Sequence, residues 1–188
     1  GWCSKGIAMR AASLGAQVIV TEINPVKAIE ARMDGFSVMT MAKAAALGDI
    51  FVTATGCCKT ITTEHMTAMK DGAILSNAGH FNCEIDMEAL EAFAVEKKER
   101  RNNIMGYKLP NGKWVNVIGE GRLVNIAAAD GHPAEIMDLS FAVQAMSAKY
   151  IKENHKNLQN IVIDVSAEID DIIARRKLKA WGIEIDKL

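Results

Sequence analysis

With 188 residues, 49% of them apolar and 24% charged, the chain has the makeup of a globular protein rather than of a disordered or fibrous one. Its formal net charge of −1 gives no electrostatic reason to expect nucleic acid or an anionic membrane as a partner. No apolar run approaches the roughly 20 residues needed to span a bilayer, and the first residues lack the basic, apolar and small-residue regions of a signal peptide.

The chain opens on Gly1-Trp2-Cys3-Ser4-Lys5-Gly6, which fits either the second half of a G-x-G-x-x-G turn or only a glycine-flanked N-terminus, and the six residues alone do not decide. The strand and first glycine expected ahead of such a turn are missing. Ser4 stands where a third glycine would permit close helix–strand packing, so crowding and weaker ligand binding are expected there. A helix is predicted over Lys5–Leu14, then a buried strand over Gln17–Glu22. Pro25–Met33 reads as a helix, because proline suits a first turn where its missing N–H would be unpaired anyway. Helices over Met41–Leu47 and Thr62–Met69 alternate with strands over Asp49–Thr55 and Gly72–Ala78, joined by Gly48-Asp49 and Asp71-Gly72 turns. Such alternation implies right-handed βαβ units and a mainly parallel sheet.

After residue 95 the pattern changes. Glu96–Asn102 is a charge run, expected as a solvated face or helix end. Pro110-Asn111-Gly112-Lys113 lies between two strand-forming runs, Gly106–Leu109 and Trp114–Ile118, and signals a hairpin. A long helix is predicted from Pro133 to about Asn157, with Ile136, Leu139, Phe141, Val143 and Met146 giving apolar surface. A second follows over Ala167–Leu178. The boundary is expected at His132-Pro133, dividing 1–132 from 133–188. Cys3, Cys57, Cys58 and Cys83 show no C-x-x-C spacing, so no metal site is expected, and reduced thiols in a cytoplasmic setting fit best.

Ligands of open α/β sheets bind beyond the carboxyl ends of the strands. Glu22 closes a strand about 20 residues after the glycine turn, the place of an acid that accepts from a ribose diol. Its charge would repel a 2′-phosphate, which favours NAD over NADP. Thr55-Gly56 ends a second strand and Asn77-Ala78-Gly79-His80 a third. Taken singly these are ordinary turns, a surface glutamate and a structural histidine. Their joint occurrence at successive strand ends points to a dinucleotide site.

The segments "GWCSKGIAMRAASLGAQVIVTEINPVKA", "GDIFVTATG", "MKDGAILSNAGHFNCEID" and "GEGRLVNIAAADGHPAEIMDLSFA" resemble S-adenosylhomocysteine hydrolases over nearly the whole chain. The resemblance implies a Rossmann-like doubly wound parallel sheet, its first strand missing, followed by C-terminal helices returning to a substrate domain. It implies tightly bound NAD and reversible hydrolysis of S-adenosylhomocysteine to adenosine and homocysteine, a step of one-carbon metabolism. The ribose is oxidised at C3′, homocysteine leaves by elimination, water adds, and the ketone is reduced again. Gly1, Trp2, Cys3, Glu22, Thr55, Gly56 and Asn125 are then the cofactor residues. His80 and His132 are ribose-side acid/base or hydrogen-bonding groups, with His132-Pro133 at a domain hinge, and Met137 and Phe141 line an adenine pocket. A cytoplasmic homotetramer is implied as well. The family's substrate-domain carboxylates and lysine, and its C-terminal tail, have no counterpart here, so the chain is expected to be inactive by itself. Two other readings stay open: the cofactor domain of a 2-hydroxyacid or alanine dehydrogenase, which would not need G-H-F or G-H-P, and a non-catalytic regulatory paralogue.

Overall fold

A computed structural model describes residues 1–186. The chain divides into two compact units, Gly1–Asp130 and Gly131–Leu188.

The first unit opens with α1 (Trp2–Ser13), β1 (Ile19–Val20), α2 (Pro25–Met33) and β2 (Ser37–Val38). Strands β1 and β2 pair in parallel. The Gln17–Glu22 strand is thus shorter than expected, since Ile19 and Val20 alone have a parallel partner. Asn24 caps α2 by accepting from the N–H groups of Val26 and Lys27, which complements Pro25 at the first position.

The chain continues through α3 (Met41–Ala45), β3 (Ile50–Thr53), α4 (Thr63–Ala68), β4 (Ala73–Asn77), α5 (Met87–Phe93), β5 (Glu96–Arg101), β6 (Ile104–Lys108) and β7 (Trp114–Ile118). A 3-10 turn at Gly119–Gly121 and a short α6 (Val124–Ala127) come next. The five later strands form one sheet in the order β3-β4-β7-β6-β5. Strands β3, β4 and β7 run parallel, whereas β5 and β6 pair antiparallel. The core lies on one sheet face. Phe51, Ala73, Leu75, Tyr107, Val115 and Val117 pack there with Ala45, Met66 and Leu90, following the period-2 alternation of strands.

Two expectations change here. The charge run is strand β5 rather than a helix end, although it is solvated as expected. All six of its residues are exposed, and antiparallel pairing with β6 holds it at the sheet edge, where charged side chains deter further pairing. The cysteines are not all thiols. Lys59 N–H donates to the Cys83 carbonyl at 2.6 Å and Ile61 N–H to that of Glu84 at 3.0 Å. This pairing of loops brings Cys58 and Cys83 to a Cα separation of 4.6 Å, and they form a disulfide. Cys3 and Cys57 are free and exposed.

The second unit is a helix pair, α7 (Ala134–Asn154) and α8 (Ala167–Ala180). Ile169 and Ile173 are its buried residues on α8, and Lys177 Nζ reaches Asp138 Oδ2 at 2.8 Å. No described helix is long and apolar enough to cross a membrane.

Candidate functional site

The parallel pairing of β3 with β4 brings their carboxyl ends side by side, with Thr53 opposite Asn77. Thr53 Oγ1 donates to Asn77 Oδ1 at 3.0 Å. The Asn77 amide is fully buried and ties several segments together. Its Oδ1 also accepts from Gly79 N–H at 2.8 Å, and its Nδ2 donates to the carbonyls of Phe81 and Gly121, each at 2.9 Å. A parallel bridge from Asn77 to Leu123 draws the following segment, with half-buried Asn125 on α6, to the end of β4.

Beyond β3, Thr55 and Gly56 form an exposed turn. Gly56 has φ +73, and a side chain there would meet open space, so the glycine serves the backbone conformation. Under this turn lies Glu84, which is fully buried. Its Oε2 accepts from Thr55 N–H and Thr55 Oγ1, and its Oε1 from Gly56 N–H, all at 2.8 Å. His80 is exposed beyond β4, its ring edge-on to Phe81 at 4.8 Å between centroids.

Helix α1 begins at Gly1 with no side-chain cap, leaving first-turn amides available to an anion. Trp2 and Cys3 are exposed in that turn. Ser4 does not crowd the junction. It is half-buried, and its hydroxyl donates to the Ala54 carbonyl at 3.1 Å, fastening α1 to the end of β3. Glu22, half-buried, is held by its own turn: Oε1 accepts from Ile23 N–H at 2.8 Å and Asn24 N–H at 3.0 Å. The Asn24 bond above all, aided by that of Ile23, holds this carboxyl below its ordinary range. Its other oxygen has no hydrogen bond among the described residues.

The first unit therefore carries Gly1, Trp2, Cys3, Glu22, Thr55, Gly56, His80 and Asn125, while His132, Met137 and Phe141 belong to the second. His132 and Phe141 are exposed and Met137 is half-buried. Glu84 escaped the sequence reading, because nothing local marks a glutamate whose partners lie 28 and 29 positions earlier. The sequence signal that remains is Gly79, where a Cβ would collide with the Glu84 carboxylate.

An uncapped helix start, an ionised glutamate near a strand end and open, polar turns after two parallel strands suit a diphosphate, a ribose diol and a flat ring. They define a dinucleotide-binding α/β domain. Residues 1–131 match the family model of the S-adenosyl-L-homocysteine hydrolase NAD-binding domain. The chain belongs to that family, and its cofactor is NAD. Over all 188 residues it is 58% identical to the adenosylhomocysteinase of Aquifex aeolicus, of which it covers 45%. It is 58% identical to that of Pyrococcus abyssi, covering 44%. An S-inosyl-L-homocysteine hydrolase from Methanocaldococcus jannaschii is 57% identical, again with 45% covered. The chain thus spans a little under half the length of these curated relatives.

Proposed function

We propose that this chain is the cofactor-holding part of an adenosylhomocysteinase that hydrolyses S-adenosylhomocysteine reversibly to adenosine and homocysteine, as a cytoplasmic homotetramer in one-carbon metabolism. The observation that carries this reading is the set of polar turns after β3 and β4 in a chain whose residues 1–131 match the hydrolase family. Glu22 binds the adenosine ribose diol of NAD through its free oxygen. The first turn of α1, with Gly1, Trp2 and Cys3, receives the diphosphate. Thr55, Gly56 and Asn125 border the nicotinamide half. Bound NAD supplies a reversible hydride acceptor for the substrate ribose. His80 and His132 are the ribose-side groups that hold or move protons at the hydroxyls, and Met137 and Phe141 give the base its apolar walls.

Gly131 has φ +81 with open space around it, and it precedes Pro133, whose ring restricts the residue before it. This supports a hinge at Gly131-His132-Pro133, the boundary between a cofactor portion and helices returning to a substrate domain. A second reading differs in the base. Relatives named S-inosyl-L-homocysteine hydrolase are as similar as several adenosylhomocysteinases, so the purine could be hypoxanthine. Incubating the complete gene product with each thioether and separating the nucleosides decides between them. Adenosine formed faster than inosine supports the first reading, inosine alone the second, and neither product overturns both.

A further inference from the structure

Glu84 is fully buried and, among the described residues, forms no ion pair. A buried charge without a cation is costly unless hydrogen-bonded. Here every partner is a donor. Oε1 takes Gly56 N–H, and Oε2 takes Thr55 N–H and the Thr55 hydroxyl. The direction of the hydroxyl bond is set by its surroundings. Thr55 Oγ1 accepts from Cys57 N–H at 3.1 Å. Of the acceptors its own proton can reach, Glu84 Oε2 at 2.8 Å, Thr60 Oγ1 at 3.1 Å and the Cys57 carbonyl at 3.5 Å, the carboxylate oxygen is the nearest. Thr55 and Gly56 are exposed above this group, so Glu84 shapes the turn from below and is itself screened from any ligand.

We propose that Glu84 is a positioning residue for the cofactor: its two oxygens fix the Thr55–Gly56 turn in the form that receives NAD. This rests on the NAD reading of that turn. Gly79 is part of the same device. A Cβ there would run into Glu84 Oε1 and come within 3.0 Å of Asn77 Oδ1, so the bare backbone leaves the carboxylate its place. The chemistry admits no close substitute. Glutamine has the shape but one acceptor oxygen, so its NH2 would face either Gly56 N–H or Thr55 N–H. Aspartate is one methylene too short to keep both sets of bonds. Order built in before binding reduces the entropy that binding must remove.

The test is titration of the complete gene product, freed of bound cofactor, with NADH followed by nicotinamide fluorescence, alongside circular dichroism and thermal unfolding without cofactor. Glu84→Gln should keep the native spectrum and raise the NADH Kd about tenfold or more, as expected for losing a charge-assisted bond that shapes the site. Thr55→Val, which removes the hydroxyl alone, should raise it severalfold, about threefold to tenfold. The double variant should bind NADH less weakly than the two single effects multiplied together, because both changes act on the one set of bonds that shapes the turn. A purely structural role would lower the unfolding temperature and leave Kd unmoved. Folded Glu84→Gln with the wild-type Kd overturns the inference. Should that variant fail to fold, an unchanged Kd in Thr55→Val overturns it instead. A wild-type protein that binds no NADH overturns the NAD reading of the turn, a distinct result from equal binding by wild type and variant.

Discussion

Replacing Asn77 by aspartate changes one NH2 to an oxygen in a fully buried place, where the surrounding hydrogen bonds leave no freedom to turn the group over. Gly79 N–H and Thr53 Oγ1 donate to Oδ1, so the amide oxygen must face them and Nδ2 must face the Phe81 and Gly121 carbonyls. Aspartate keeps the first pair of bonds and sets an oxygen against two carbonyl oxygens at 2.9 Å. Each carbonyl left without a donor costs about 1–3 kcal/mol, so the substitution should cost about 2–6 kcal/mol. That is a large part of the roughly 5–15 kcal/mol that stabilises a domain. Protonation partly relieves the conflict, since a carboxylic acid can donate to one of the two carbonyls. The folded-state pKa of the new acid is therefore raised above its unfolded value near 3.9. Stability linked to that proton is fully present below the unfolded value and is lost as pH rises through the folded one. Urea unfolding of wild type and Asn77→Asp should show a penalty that is larger at about pH 7 than at about pH 4. Equal urea midpoints at neutral pH, or a penalty that grows on acidification, would refute this account of the strand ends.

Ser4→Gly removes the bond to Ala54 and places glycine in a helix, so it should destabilise by about 1–2 kcal/mol and leave NAD binding no tighter. Tighter binding in that variant would restore the idea of crowding. Alkylation followed by peptide mass spectrometry should label Cys3 and Cys57 in the native protein, and Cys58 and Cys83 only after reduction; native labelling of Cys58 would contradict the disulfide. Gly131→Val forces a β-branched residue to φ +81, so in the complete gene product it should impair turnover while NAD binding persists. Normal turnover would move the hinge elsewhere.

Much of the fold was legible because its signals are local. Proline after a capping asparagine marked the start of α2, and Asn111-Gly112, with Gly112 at φ +86, marked the β6–β7 hairpin. Strand β5 was illegible because Glu-Lys-Lys-Glu-Arg-Arg has no apolar face to betray alternation; pairing with β6 alone makes it a strand. The site divides in the same way. Glu22 stands out by its spacing from a glycine turn, and the strand-end turns by their composition. What Ser4 does could not be read, since its partner lies 50 positions away. Glu84 was hidden for the same reason, and the identity of a buried acid's partners is a property of the folded chain.

The central claim is that Glu22, ionised and held by Ile23 and Asn24 N–H groups, receives the ribose diol of NAD. Because its folded pKa lies below the ordinary 4.5, its charge persists at neutral pH and is lost only on acidification through that lowered value. The most direct measurement is calorimetric titration of the complete gene product and its Glu22→Ala variant with NAD and NADP, between about pH 8 and pH 5. Wild type should bind NAD far more tightly than NADP at about pH 8, the preference narrowing toward about pH 5 only as the 2′-phosphate of NADP takes up its second proton at about pH 6, and Glu22→Ala should lose most of it. An unchanged preference in Glu22→Ala would contradict the assignment.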